Sequence, residues 1–296
     1  MTFTLVILLV LLVLFYTFQS LFTRMFSMNY AGPDQSQSTS VFAICFGGFI
    51  GLATFFFRGM TFHPAWQTVL WGIANAFMLW LYNVSLIESG NRGSYAFLMI
   101  ASMFGAIVVP LFVDVVFMGE TLTALQSAAI VLMLISFVVM NMRGLSLKGA
   151  PGSYYMWCGL LFMANGLYAT IMNVQESMMG SAQSTEMIVI TYLGTALIVV
   201  LFHLLRGKHR ELFAGFRMGK KAALFALGSC VVATLASNML MYLLGLMNTS
   251  VLYTIDNGGV LVMSAICSCI FFKEKLHWNQ ILGIALATAS IVMISL

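Results

Sequence analysis

The sequence predicts an all-α polytopic membrane protein, with ten transmembrane helices arranged as two inverted five-helix repeats around a central cavity. Composition is the first observation behind this prediction. Of the 296 residues, 61% are hydrophobic and only 7% charged, whereas a soluble domain is about a quarter charged and covers its surface with those groups. The second observation is the spacing of the apolar runs. A helix crosses the bilayer in about 20 residues, so ten spans take up most of this chain and leave no room for a separate soluble domain. The third is an internal repeat. Sliding the chain by 154 residues lays Gly105, Glu120, Leu122, Gln126 and Ser136 on Gly259, Glu274, Leu276, Gln280 and Ser290. Polar residues in register are hard to obtain by chance. The repeat divides the chain into a first half (1–144), a linker (145–153) and a second half (154–296). An odd number of helices per half makes the halves insert in opposite directions, the arrangement by which many secondary transporters place a site at the midplane.

Apolar runs fall at 2–23, 40–57, 66–87, 94–117, 123–141, 154–173, 184–205, 222–247, 249–272 and 277–296. Only helices and closed barrels satisfy their backbone in lipid, and these runs lack the two-residue alternation of barrel strands. The first run has no basic leader, is too long for a signal peptide and precedes no cleavage motif. It therefore reads as a span, closed by Arg24. The second carries Gly47-x-x-x-Gly51, which permits close helix approach within the chain or between the subunits of a homodimer. The third presents Asn75, Tyr82 and Asn83 on one stripe and ends at Glu88. In the fourth, Pro110 removes a backbone donor and predicts a kink one turn before Asp114. Glu120 and Glu274 stand at the starts of the fifth and tenth helices, where a carboxylate favours the positive end of the helix dipole.

The ninth helix holds the most informative residue, Asp256. An aspartate at a helix centre costs roughly 2.5–3.5 kcal/mol on insertion scales, so it is rarely left in lipid. Tyr253, Asp256, Asn257 and Val260 share a face, and Asn257-Gly258-Gly259 weakens the helix enough to open its backbone. The reading is a cation or proton site, against an alternative in which neighbouring helices and water simply satisfy the carboxylate. Asp114, near the end of the fourth helix, is the other acid inside a span. The remaining charges are assigned to helix ends or connections.

Orientation follows from the basic residues. The chain has 13 Lys or Arg against 9 Asp or Glu, a net +4, and every cation except Arg58 falls in an odd-numbered connection. The positive-inside rule makes those connections cytoplasmic and puts both termini outside. The excess clusters between Arg206 and Lys221, so it reports orientation and not affinity for nucleic acid.

Ten helices in two halves, each half ending in Phe117-Met118-Gly119-Glu120-Thr121-Leu122 or Phe271-Phe272-Lys273-Glu274-Lys275-Leu276 before a Leu-x-x-x-Gln helix, resemble the drug/metabolite transporter superfamily, in its EamA-type branch. The resemblance implies carriage of small metabolites, often export of amino acids, drugs or nucleotide-type compounds. It also implies a cavity lined by the first, third, fourth, sixth, eighth and ninth helices, and cytoplasmic termini, opposite to the charge count. On those helices Tyr16, Gln19, Asn75, Tyr82, Asn83, Tyr95, Ser102, Asn165, Tyr168, Asn238, Tyr242, Tyr253, Asp256 and Asn257 become the expected substrate lining. Asp256, Asp114 and Glu88 become the expected coupling groups.

The leading expectation is a secondary active transporter of a small polar metabolite, an amine, amino acid or similar, driven by a membrane gradient because no nucleotide-binding loop is present. Proton-coupled exchange and export both fit. The alternatives are a facilitative importer of a cationic vitamin-like compound, a pore, or a non-transporting scaffold. Five cysteines lie inside apolar runs without zinc spacing and four histidines sit near segment ends. No cofactor, metal site or catalytic constellation is therefore expected. The lack of long tails or sorting signals suits a prokaryotic plasma membrane.

Overall fold

The computed structural model describes residues 3–32, 37–90, 92–144, 150–273 and 276–295, and all regular structure among them is helical. The helices are α1 (Phe3–Asn29), α2 (Ser38–Phe57), α3 (Trp66–Gly90), α4 (Tyr95–Phe117), α5 (Ala124–Asn141), α6 (Gly152–Met179), α7 (Ser184–Leu205), the short α8 (His209–Gly215), α9 (Lys220–Leu244), α10 (Thr249–Phe272) and α11 (Trp278–Ser295). Among the described residues, nine of these are long and apolar enough to cross a membrane. The tenth predicted span is represented by a shorter apolar helix, Trp278–Ile294. Helix α8 sits in the basic connection that the sequence reading left without structure.

Two helices run past their predicted ends for reasons of packing. Helix α1 does not stop at Arg24 but continues to Asn29, because Phe26 is buried with Tyr30, Ala222 and Ala226. Tyr30 Oη also donates to Gly215 O at 2.8 Å. Helix α6 continues six residues beyond the predicted 173, so Gln175 and Glu176 lie buried inside it.

The chain folds into two compact units, and neither coincides with a sequence half. One unit contains residues 1–17, 84–173 and 246–296; the other contains 18–83 and 174–245. In the first unit α5 packs along α11, and α10 packs against α4 and α11. Ser136 Oγ donates to Gly283 O at 2.9 Å, and Ser290 Oγ donates to Ala129 O at 2.6 Å. These bonds are reciprocal under the 154-residue repeat, since Ser136 corresponds to Ser290 and Ala129 to Gly283. Contacts descend along α11 as they ascend α5, with Asn279 Nδ2 donating to Met140 O at 3.0 Å. Two repeat-related helices thus run antiparallel with the i-to-j, j-to-i contacts of a two-fold interface.

The motif glutamines explain how these helices begin. Thr123 and Gln126 form a capping box, with Gln126 N donating to Thr123 Oγ1 at 3.2 Å and Thr123 N to Gln126 Oε1 at 3.0 Å. In the second half His277 N donates to Gln280 Oε1 at 2.8 Å. The Leu-x-x-x-Gln signature is therefore a helix start in both halves.

In the second unit α2 packs against α7 and α9. A Cβ on Gly47 would sit 2.5 Å from Tyr192 O, and one on Gly51 would sit 2.5 Å from Leu193 Cγ. The Gly-x-x-x-Gly spacing is thus used inside the chain, for the close approach of α2 to α7.

Candidate functional site

Asp114 lies near the C-terminal end of α4 and is fully buried. Asn173 Nδ2, from α6, donates to its Oδ1 at 2.7 Å, and Ser250 Oγ, from the first turn of α10, donates to its Oδ2 at 3.0 Å. Its backbone carbonyl accepts from Glu120 N at 3.0 Å. Both carboxylate oxygens are thereby held, one from each of two neighbouring helices. Helix α4 passes through Pro110 as one continuous element.

Glu120 follows in the turn after α4. Its Oε2 accepts from Asn248 Nδ2 at 2.6 Å, while Asn248 Oδ1 accepts from Val251 N at 3.2 Å and so caps α10. The carboxylate expected to serve the dipole of its own helix instead ties the α4–α5 turn to the start of α10. Burial raises the Glu120 pKa above the ordinary carboxylate value, and the Asn248 hydrogen bond works in the opposite direction. Glu274, its repeat partner, lies outside the described residues.

Asp256 is in a different situation. It is only 8% exposed, and its Oδ1 has no hydrogen-bond partner among the described residues. Its repeat counterpart is Ser102, whose carbonyl and hydroxyl oxygens accept from Asn165 Nδ2 at 2.9 and 3.0 Å. The expected opening of α10 at Asn257-Gly258-Gly259 is not found, because the helix is continuous there. The glycines instead admit neighbours. Met133 of α5 occupies the place of a Gly258 side chain, and a Cβ on Gly259 would meet Val13 Cγ2 at 2.7 Å.

The other expected lining residues of this unit are partly consumed by structure. Tyr253 Oη donates to Ala169 O at 3.3 Å, and Asn257 Nδ2 folds back on Tyr253 O at 2.8 Å. Tyr16 and Tyr168 are half-buried. The side chain of Tyr95 lies outside the described residues. Glu88, expected at a cavity mouth, pairs with Arg92 one turn later on a partly exposed face. A groove of about 410 Å³ runs beside α10, lined by Leu9, Val13, Ile255, Gly259, Met263 and Ile291 among others, and all its walls are apolar. The expected polar lining is not among them.

In the second unit Asn75 is fully buried, with Nδ2 3.5 Å from Thr191 Oγ1 and Oδ1 unpartnered among the described residues. Asn238 Nδ2 donates to Thr54 Oγ1 at 3.0 Å and to Thr234 O at 2.9 Å. Asn83 Nδ2 bonds its own helix at Leu79 O. Gln19 contributes its carbonyl, which accepts from Thr23 Oγ1 and Ser229 Oγ. Tyr82 is half-buried, whereas Tyr242 is 56% exposed and stands apart from the Asn238 bonds.

Sequence reasoning missed several buried polar residues. Asn173, Asn248 and Ser250 hold the acids of the α4 end. Glu176 was assigned to a connection and Glu186 to a helix end, yet both are buried, with Glu176 Oε2 accepting from Ser184 Oγ at 2.6 Å.

Comparison with known proteins agrees with this architecture. A solved crystal structure, described only as that of a protein, is similar in fold at a TM-score of 0.72 and 15% identity, covering 99% of this chain and 98% of its own. The comparison with curated proteins gives no match. Residues 155–296 match the EamA-like transporter family. With its long apolar helices the chain is a multi-pass membrane protein, and its residues 155–296 are similar to the EamA-like transporter family.

Proposed function

We propose that this protein is a secondary active transporter that carries a small polar metabolite across a prokaryotic plasma membrane by alternating access. The similarity of residues 155–296 to the EamA-like transporter family supports transport as the class of activity. The antiparallel, reciprocal contact of α5 with α11 supports an inverted repeat of ten helices around a central cavity, since it relates the two halves by a two-fold operation. The single observation that carries the mechanism is Asp256, a buried carboxylate with an oxygen that no described residue satisfies.

A buried acid without a partner is expensive. It persists where a substrate amine or an exchanged proton supplies what the fold withholds. Asp256 is the coupling group in this reading, and Tyr253 and Asn257 are the other expected lining residues on the same stretch of α10. Asp114, with both oxygens occupied, is assigned to the scaffold instead.

Proteoliposomes loaded with amines, amino acids, nucleobases or vitamins test the proposal. Saturable, protein-dependent exchange of one class is the expected result. Passive, high-rate conductance in electrical recording supports a pore instead, and the absence of any flux supports a scaffold.

A further inference from the structure

The seam between α3 and α7, in the second unit, carries a feature that transport by Asp256 does not use. Two contacts fix its register. Ala65 N, just before α3, donates to Gln183 Oε1, just before α7, at 2.8 Å across a separation of 118 residues. Farther along, a Cβ on Gly72 would lie 2.6 Å from Ile190 Cγ2, at the same separation. The two helices therefore run parallel and in step. Thr68 and Glu186 stand between these contacts at that same separation, three residues beyond one and four before the other, so each lies on the facing side of its helix.

Both are deeply buried, Thr68 at 0% and Glu186 at 9% exposure. Thr68 Oγ1 and Glu186 Oε2 each have no hydrogen-bond partner among the described residues. The ion pairs among the described residues join Arg92 to Glu88 and Lys208 to Glu211, and neither reaches Glu186. By this register one layer of the seam carries a carboxylate oxygen on α7 and a hydroxyl oxygen on α3, both withdrawn from water and both without a hydrogen-bond partner among the described residues.

We propose that this layer binds a small monovalent cation of the alkali series between Glu186 and Thr68. A water molecule would satisfy the hydrogen bonding but leave the carboxylate charge in place. The N-terminus of α7 offsets part of that charge, and a bound cation neutralises the remainder. Hard oxygen donors suit such an ion, with water or backbone carbonyls completing its shell. A single carboxylate balances one positive charge, which selects a monovalent over a divalent ion. Glu176 does not contribute, because its contact with Ser184 lies on another side of α7.

Thermal unfolding of the purified protein in sodium, lithium or choline chloride at equal ionic strength and pH tests the site. A cation that binds only the folded state raises the unfolding temperature with its concentration. The wild type is expected to unfold several degrees higher in sodium or lithium than in choline. Glu186→Gln and Thr68→Val are expected to lose that increment, Thr68→Ser to keep it, and Asp256→Asn to keep it in full. Equal unfolding temperatures in the three salts overturn the proposal, as does an increment that survives Glu186→Gln. Should Glu186→Gln fail to fold, Thr68→Val against Thr68→Ser decides the question alone.

Discussion

Asp114 and Asp256 sit on α4 and α10, helices related by the internal repeat, and the fold treats them in opposite ways. Asp114 receives one hydrogen bond from α6 and one from α10. Asp256 is nearly as deeply buried but keeps an oxygen without a partner among the described residues. The repeat sharpens the difference. At the position that corresponds to Asp256 the first half places Ser102, which accepts from Asn165, while the acid of the second half keeps its unpartnered oxygen. The comparison teaches that burial alone does not tell the two carboxylates apart; under the proposed function, the state of their hydrogen bonds separates a structural acid from a working one.

The largest expected effect tests the structural side of that contrast. Asp114→Ala leaves the Asn173 amide and the Ser250 hydroxyl buried without an acceptor. It should cost about 3 kcal/mol of stability, measured by denaturant unfolding in detergent. Asp256→Asn strands no donor and removes an unpaired acid, so its stability should equal or exceed that of the wild type. A comparable loss in both variants would erase the distinction.

Next in size is the pair Gly105 and Gly259, which are repeat counterparts on the same two helices. A methyl group at Gly105 collides with the Phe162 backbone carbonyl, whereas one at Gly259 meets the movable side chain of Val13. Gly105→Ala should therefore cost about 2 kcal/mol, and Gly259→Ala clearly less. The same unfolding experiment ranks them.

Ser136 and Ser290 offer a finer test of the two-fold relation. Each serine donates one buried hydrogen bond to the opposite helix, worth about 0.6 kcal/mol in a membrane bundle. Replacing either by Ala should give matching small losses, and unequal losses would weaken the claim that the bonds are equivalent.

The smallest effect concerns pH. Burial raises the Glu120 pKa in the folded protein, so the folded state keeps its proton to higher pH than the unfolded chain does. The resulting stabilisation is complete below the unfolded carboxylate value and is lost as pH rises through the raised folded one. Glu120→Gln should flatten that part of the stability–pH curve while still accepting from Asn248.

Much of the helical layout was legible in the sequence, because apolar runs report directly on which segments can enter lipid. The ends were less so. Arg24 read as a stop, yet Phe26 buries against Ala222 and Ala226 and carries α1 onward. Asn173 to Glu176 read as the start of a connection, yet tertiary contacts bury that polar turn inside α6. Asp256 was legible as an outlier of charge. Its lack of a partner was not, since that depends on which side chains the packed helices bring to it. The partners of Asp114 were missed for a related reason, although Asn248-Thr249-Ser250 ahead of an apolar run is a helix-start signal that could have pointed to them. Asn257-Gly258-Gly259 was read as a break, but Met133 and Val13 fill the space that the glycines leave.

The most direct test compares flux through proteoliposomes containing wild-type, Asp114→Asn or Asp256→Asn protein, each first shown to be folded. The account predicts that Asp256→Asn loses at least about tenfold in gradient-driven flux, about 1.4 kcal/mol or more in the barrier, together with its pH dependence. Asp114→Asn should retain flux in proportion to the protein that remains folded. Unchanged flux and pH dependence in Asp256→Asn would contradict it.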